Sequence, residues 1–300
     1  MTTSSFARAD DMPTATAAEH RLRIFAPTRR PRAVSAMKIE TAHGEIKITG
    51  KLGQAHADLL DAICYCAEKK VDMEDGRIKL LVDPAAIRRT AGISSGEQFS
   101  KLVDELCAAV IEIRKPSPLA CIGHLVDHID TARRADGSAV TRRNPLTGGE
   151  RDLWRVELGK AFCKLLGNDI WRGYDPTPIA RLRHGISQAI ARHVATHMHQ
   201  PKGGWKLDTL IAAVAGEQGE QAMRDRRREV RADAAELAAL NLLVDGDRVH
   251  RVEQTPDSVE QTPNSVEQTP GAWSKRPALA VLLVPSGTST SRLDAVPGQP

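Results

Sequence analysis

Glu217-Gln218-Gly219-Glu220-Gln221-Ala222-Met223-Arg224-Asp225-Arg226-Arg227-Arg228-Glu229-Val230-Arg231-Ala232-Asp233, continuing to Arg251, is the stretch on which the reading of this chain turns. Wound as a helix at roughly 100° per residue, Gln221–Leu240 separates into three faces. Met223, Val230, Ala234 and Leu237 make an apolar stripe. Arg224, Arg227, Arg228 and Arg231 fall together at i, i+3, i+4, i+7. Asp225, Glu229, Asp233 and Glu236 take the third face, leaving the arginine strip almost free of acids. A solvated helix more commonly mixes its signs so that opposite charges pair at i, i+4. Guanidinium groups in a row suit phosphate oxygens and guanine edges.

The residues around this helix extend the pattern. Asn241–Val244 and Asp247–Val252 are short β-prone runs joined at Asp245-Gly246, a hairpin signal. Gly203–Leu207 reads as a short extended segment, Asp208 as the cap of a helix over Thr209–Ala215, and Gly216 as its stop. A longer helix, Pro178–His199, comes first, with Ile179, Leu182, Ile186, Ile190 and Val194 as its core stripe and Arg181, Arg183 and Arg192 facing solvent. This order is that of a winged helix, a helix-turn-helix variant whose second helix enters the major groove. Arg248 and Arg251 on the hairpin, together with the four helical arginines, are the candidate DNA-binding residues.

Composition permits this reading without demanding it. The 300 residues suffice for one large domain or two smaller ones, and a net charge of +4 is only weakly basic. Aromatics make up 3%, so the core must rest on Leu, Ile, Val and Ala. Five cysteines without a secretory signal fit a reducing bacterial cytoplasm, and no apolar run approaches the length of a membrane span.

Four segments are expected. Residues 1–35, rich in Ser, Thr, Ala and Pro, read as a disordered basic arm with Arg21, Arg23, Arg29, Arg30 and Arg32. Residues 36–160 read as a first winged helix: a hairpin around His43-Gly44, a helix His56–Lys69, a hairpin at Asp75-Gly76, a helix begun by Asp83-Pro84, a helix over Ser95–Ile111, and strands Ile111–Arg114, Ile122–Asp130 and Val140–Arg143. The helix Ser95–Ile111 carries Glu97, Lys101, Asp104 and Glu105, which suits a partner or dimer contact better than DNA. Residues 161–252 are the second, DNA-binding winged helix. From Glu253 to Pro300 a seven-residue repeat with a proline in each copy excludes a coiled coil and reads as a flexible tail. The fold class expected is thus α+β, mainly helical: tandem winged helices with disordered tails.

Searches for catalytic chemistry return little. No Gly-rich loop ending in Gly-Lys-Ser/Thr is present. His197-Met198-His199 has the spacing of nicking enzymes that use a tyrosine, with Tyr65 and Tyr174 the available nucleophiles, but residues two apart on a helix diverge. His193 and His197 stand at i, i+4 without the glutamate of a metalloprotease motif. Cys64 and Cys66 diverge on a helix, and Cys121, His124 and His128 have no second pair to complete a zinc site. No catalytic residue, metal or cofactor is expected.

The paired architecture resembles the iteron-binding plasmid replication initiators. Ile48-Thr49-Gly50-Lys51-Leu52-Gly53-Gln54-Ala55-His56, followed by Leu59-Leu60-Asp61-Ala62-Ile63, is similar to the opening helix of their first domain. The resemblance implies a non-enzymatic protein that binds repeated sites in double-stranded DNA, melts the neighbouring duplex and recruits replication proteins such as the replicative helicase. It also admits a homodimer. A plasmid or phage transcriptional repressor is the alternative, and a tyrosine-dependent nicking enzyme a more distant one.

Overall fold

The computed structural model describes Met12–Val252, apart from Pro116, Pro145, Leu146, Asp169 and Ile170. The repeat and tail from Glu253 onward lie outside the described residues. The chain opens with β1 (Ala15–Thr16) and α1 (Ala17–Arg21), then β2 (Val34–Thr41), β3 (Gly44–Gly50) and α2 (Gln54–Tyr65). Next come β4 (Ala67–Asp72), β5 (Ile78–Val82), α3 (Pro84–Thr90), α4 (Gly96–Ala108), β6 (Val110–Lys115), β7 (Cys121–His124) and β8 (Val126–Thr131). These are followed by β9 (Thr141–Arg143), β10 (Glu150–Asp152), β11 (Trp154–Leu158), α5 (Lys160–Asn168), β12 (Trp171–Arg172) and α6 (Thr177–Ala180). The C-terminal part is α7 (Gly185–Ala195), β13 (Trp205–Lys206), α8 (Leu207–Ala215), α9 (Glu220–Ala232), α10 (Ala234–Ala239), β14 (Leu242–Asp245) and β15 (Arg248–Arg251).

This is an α+β protein, 39% helix and 30% strand, and the mainly helical tandem of winged helices is overturned. The reason lies in long-range strand pairing. The first half builds two four-stranded antiparallel sheets, ordered β4-β5-β11-β8 and β2-β3-β6-β7. β11 inserts between β5 and β8, with Trp154 opposite both Val82 and Thr131. The expected strand Ile122–Asp130 breaks at the buried Leu125, so that β7 joins one sheet and β8 the other. β9, expected to complete a wing with that strand, pairs instead with β10. The expected helix His56–Lys69 stops at Cys66, and the residues after it form β4 against β5, tertiary pairing overriding local propensity.

Local signals survive within this altered topology. Asp83 Oδ1 accepts from the Ala85 N–H at 2.9 Å, with Pro84 opening α3, and Ser95 Oγ accepts from Gln98 N–H at 3.3 Å to start α4. Two hydrophobic cores result. The first gathers Ile46, Leu59, Ile63, Leu80, Leu106, Val156 and Phe162 among others. The second is formed by Ile186, Ile190, Ile211, Val230, Leu237 and Val249 with their neighbours, under the sheet β13-β15-β14. α5 brings Phe162 and Leu165 to the first core.

The basic arm, in its described part, is an ordered strap. Its few apolar side chains, Met12, Leu22, Ile24 and Phe25, enter the first core. Thr16 and Glu19 form a capping box that starts α1. Arg21 donates to Thr196 O at 3.2 Å, and Arg29 donates to Ala180 O and Leu182 O at 3.0 and 3.1 Å. The Arg29 bonds fall where the expected helix 178–199 divides into α6 and α7. The strap also passes tightly over Gly185, where an added Cβ would sit 2.5 Å from Thr28 Cα.

Between the cores lies a buried polar junction. Arg192, expected at the surface, is 0% exposed in the last turn of α7. Its Nε donates to Asp61 Oδ2 at 2.9 Å, its Nη1 to Gln54 Oε1 at 2.8 Å and its Nη2 to Asp58 Oδ1 at 2.5 Å. Burial alone would lower the Arg192 pKa, but Asp61 and Asp58 beside it push it up. Gln188 adds a donor to Asp58 Oδ2 at 3.2 Å. Removing one partner of such a network strands the others in a dry interior, at a cost of about 3–5 kcal/mol. Arg192→Met is therefore expected to destabilise the protein by that order in urea unfolding. A loss below about 1 kcal/mol would show that the two halves do not depend on this contact.

Candidate nucleic-acid interface

The helix expected over Gln221–Leu240 is two helices, α9 and α10, which break at Asp233. Asp233 is turned inward, 1% exposed, and accepts from His184 N–H at 2.9 Å while its other oxygen lies 2.9 Å from His184 Nδ1. It thereby satisfies a backbone donor at the start of α7, so it is a structural joint and not part of a solvated acidic face. The stripe works as read: Val230 and Leu237 are buried in the second core and Met223 packs against it.

Opposite that stripe, Arg224, Arg228 and Arg231 are exposed and Arg227 is half-buried. The strip is not free of acids. Arg224 pairs with Glu220 one turn earlier, and Arg228 pairs with Asp225 at 2.9 Å. Arg227 grips Asp208 with Nε and Nη2, both at 2.6 Å. Asp208 does not cap α8 as expected, because the helix starts earlier, at Leu207 with Lys206 in the cap position, and Asp208 lies in its first turn with its carboxylate held by Arg227. That hydrogen bond holds Asp208 below the usual carboxylate range and raises Arg227. The sequence revealed the local acids but not Asp208, which reaches the strip only through the packing of α8 on α9.

The hairpin forms as expected, with its loop one residue later. Asp245 pairs with Arg248, leaving Gly246-Asp247 as a two-residue loop, and Gly246 takes φ +55 at its first position. A positive φ there suits a type II′ turn and favours glycine. Arg231 Nη2 donates to Gly246 O at 3.2 Å, so the end of α9 touches the hairpin tip. A surface concavity lined by Leu207, Asp208, Arg227, Arg231 and Asp247 marks this meeting point.

The two hairpin arginines part company. Arg248 is half-buried and donates to Gly203 O at 2.6 Å. Arg251 turns away to the C-terminal end of α7, donating to Val194 O and to His197 O, the latter at 3.0 Å, while its guanidinium lies 5.7 Å from the Trp205 ring centre. A cation at a helix C-terminus satisfies orphan carbonyls and opposes the helix dipole. The structure thus keeps Arg224, Arg227, Arg228 and Arg231 on α9, with Arg231 and Arg227 reaching the hairpin tip, and gives Arg251 a separate, structural set of partners.

The residues weighed for catalysis have these partners: the His193 and His197 rings lie 4.7 Å apart. The Tyr174 hydroxyl donates to Asp61 Oδ2 at 3.1 Å inside the junction, and burial raises its pKa well above the ordinary value. His197 Nδ1 lies 2.9 Å from His193 O. His124 Nδ1 lies 3.0 Å from Ala109 O, and His128 Nε2 faces Asp130 at 3.6 Å. Metal-ligating atoms do converge elsewhere among the described residues, at Glu19, His20 and Asp61, a group the sequence reading passed over. No helix among the described residues is long and apolar enough to cross a membrane.

Comparison with known proteins adds a partial likeness. The chain matches no protein-family model and no curated protein. Among solved structures it overlaps a selenomethionine derivative of RctB domains 2 and 3 at 12% identity and a TM-score of 0.45, covering 73% of this chain and 85% of that one. A second structure of RctB domains 2–3 overlaps at 13% identity and a TM-score of 0.44, over 77% and 84% of the two chains.

The division of the arginines is measurable. Arg251→Ala is expected to cost about 1.5–3 kcal/mol of stability by losing charge-assisted bonds to helix-end carbonyls. Arg228→Ala, on an exposed side chain, should stay within about 0.5 kcal/mol of the parent. Chemical denaturation of the two variants checks this, and equal losses would contradict the assignment.

Proposed function

We propose that this chain binds double-stranded DNA sequence-specifically through α9 and the β14–β15 hairpin, and that it acts at repeated origin sites to initiate plasmid replication. The observation that carries the DNA reading is the exposed arginine strip Arg224, Arg228 and Arg231, joined by Arg227 and set beside the hairpin tip. Arg224, Arg227 and Arg228 are paired with exposed or half-exposed acids and Arg231 with the Gly246 carbonyl, exposed contacts worth about 0–1 kcal/mol for the ion pairs, so phosphates or base edges displace them at little cost. Arginine on a helix face reads guanine O6 and N7 bidentately, while arginines at the rim hold phosphates and set the register. The origin reading rests on the resemblance of the α2 region to the initiator family, and helicase recruitment follows from that resemblance.

Binding sites selected from a random duplex pool supply the probe, and salt-titrated binding of single variants supplies the test. A base-reading arginine among Arg224, Arg227, Arg228 and Arg231 changed to Ala should cost about 1–3 kcal/mol and relax preference at one position. Arg248→Ala should weaken binding to all sequences and reduce the salt slope by about one unit. Arg226, paired with Glu229 at 2.9 Å and partly buried, is the control and should bind as the parent does. If folded variants of the strip all bind like the parent, α9 is not the reader. On a supercoiled plasmid carrying the selected repeats beside an AT-rich segment, an initiator opens the duplex to a single-strand-specific nuclease. Tight binding without opening would indicate a repressor.

A further inference from the structure

The deepest unexplained chemistry lies in the junction, away from the arginine strip. Glu19 and Asp61 are each 0% exposed and His20 is 8% exposed. Glu19 Oε2 accepts from Thr16 N–H at 2.9 Å, and Asp61 Oδ2 accepts from Arg192 and Tyr174 at 2.9 and 3.1 Å. The other oxygen of each carboxylate, Glu19 Oε1 and Asp61 Oδ1, has no hydrogen-bond partner, and neither has His20 Nε2. Glu19, His20 and Asp61 each bring one ligand-type atom within 4.8 Å of the others, and Glu19 Oε1 and His20 Nε2 are 3.8 Å apart. Buried polar atoms are almost always satisfied, so three orphans on clustered residues call for a common partner.

We propose that Glu19 Oε1, His20 Nε2 and Asp61 Oδ1 bind a divalent transition-metal ion of the zinc type. Two carboxylates and one imidazole are hard-to-borderline donors that suit such an ion, and three protein ligands with a water in the fourth place are a standard zinc set. Thr16, Arg192 and Tyr174 already hold the outer oxygens, as partners behind metal ligands do. A cavity of about 10 Å³ borders Glu19 and His20, room for the water. Zinc bonds of about 2.1 Å place ligand atoms roughly 3.4 Å apart, so the trio draws in by about an ångström around the ion. The ion would tie α1 of the strap to α2 behind the Arg192 contact. It is a structural site, independent of the DNA reading.

The test uses the full chain, stripped with a chelator and titrated with Zn²⁺ by calorimetry. About one ion per chain is expected, together with a rise of several degrees in melting temperature. Co²⁺ in place of zinc should give visible absorption without a thiolate charge-transfer band, which separates this site from adventitious binding at the free cysteines. Glu19→Gln and His20→Gln, shown folded by circular dichroism, should each lose at least tenfold in affinity. A folded parent that takes up no stoichiometric zinc overturns the proposal and leaves the trio sharing a proton. Zinc uptake with a thiolate band, or uptake undiminished in both variants, overturns it too.

Discussion

Everything in this fold leans on one buried guanidinium. Arg192 sits in α7 of the second core and is held by Gln54, Asp58 and Asp61, which lie at i, i+4 and i+7 on α2 of the first. Desolvating a charge is expensive, and its attraction to carboxylates in a dry interior offsets the cost only when geometry is good and every donor is used. Here Nε, Nη1 and Nη2 each have an acceptor. An apolar seam between α2 and α7 would tolerate sliding by a turn, whereas a forked donor matched to two carboxylates and an amide accepts one register. The contact accordingly sets how the two cores are placed, whatever its net contribution to stability.

That constraint was hidden from the sequence for a plain reason. Polar residues at helical spacing ordinarily mark a solvent face, and Asp58, Asp61 and Arg192 obey the same pattern while facing each other. The strap was hidden likewise: a segment poor in bulky residues reads as disordered, yet Leu22, Ile24 and Phe25 suffice to dock it, and Arg21 and Arg29 find carbonyls at the ends of helices distant in sequence. Cap and turn signals were legible because their partners lie within a few residues, as at Asp83, Ser95 and Gly246. Sheet order was not, since nothing near Trp154 says that β11 enters between β5 and β8. The second half read more truthfully at the level of single elements because its helices and hairpin are joined in sequence order.

The arginine strip shows the same division on the scale of one helix. Its position on α9 follows from periodicity, and Val230 and Leu237 fix which side faces the core. Its charge state does not follow from periodicity. Asp208 approaches from α8 and Glu220 and Asp225 fold back along α9, so the free protein presents guanidiniums already occupied by carboxylates. For the DNA surface proposed here this bears on specificity. Fully bare arginines bind any polyanion, whereas arginines that must trade an internal carboxylate for an external acceptor favour sites where the replacement geometry is good.

A continuous mechanical path joins the strip to the junction. Arg192 and the strap position α7, with Thr28 packed against Gly185 where α7 begins. One residue earlier, His184 holds Asp233, and Asp233 ends α9. At the other end of α7, Arg251 secures β15 to the helix carbonyls, and the hairpin tip in turn meets Arg231. The orientation of α9 is therefore fixed from both of its neighbours, α7 through Asp233 and the hairpin through Arg231. The DNA reading proposed for α9 needs this rigidity, because bidentate base contacts tolerate little displacement and each ångström of play dilutes discrimination. The buried charges far from the surface and the exposed charges on it are two ends of one arrangement, the first setting the frame in which the second are aimed.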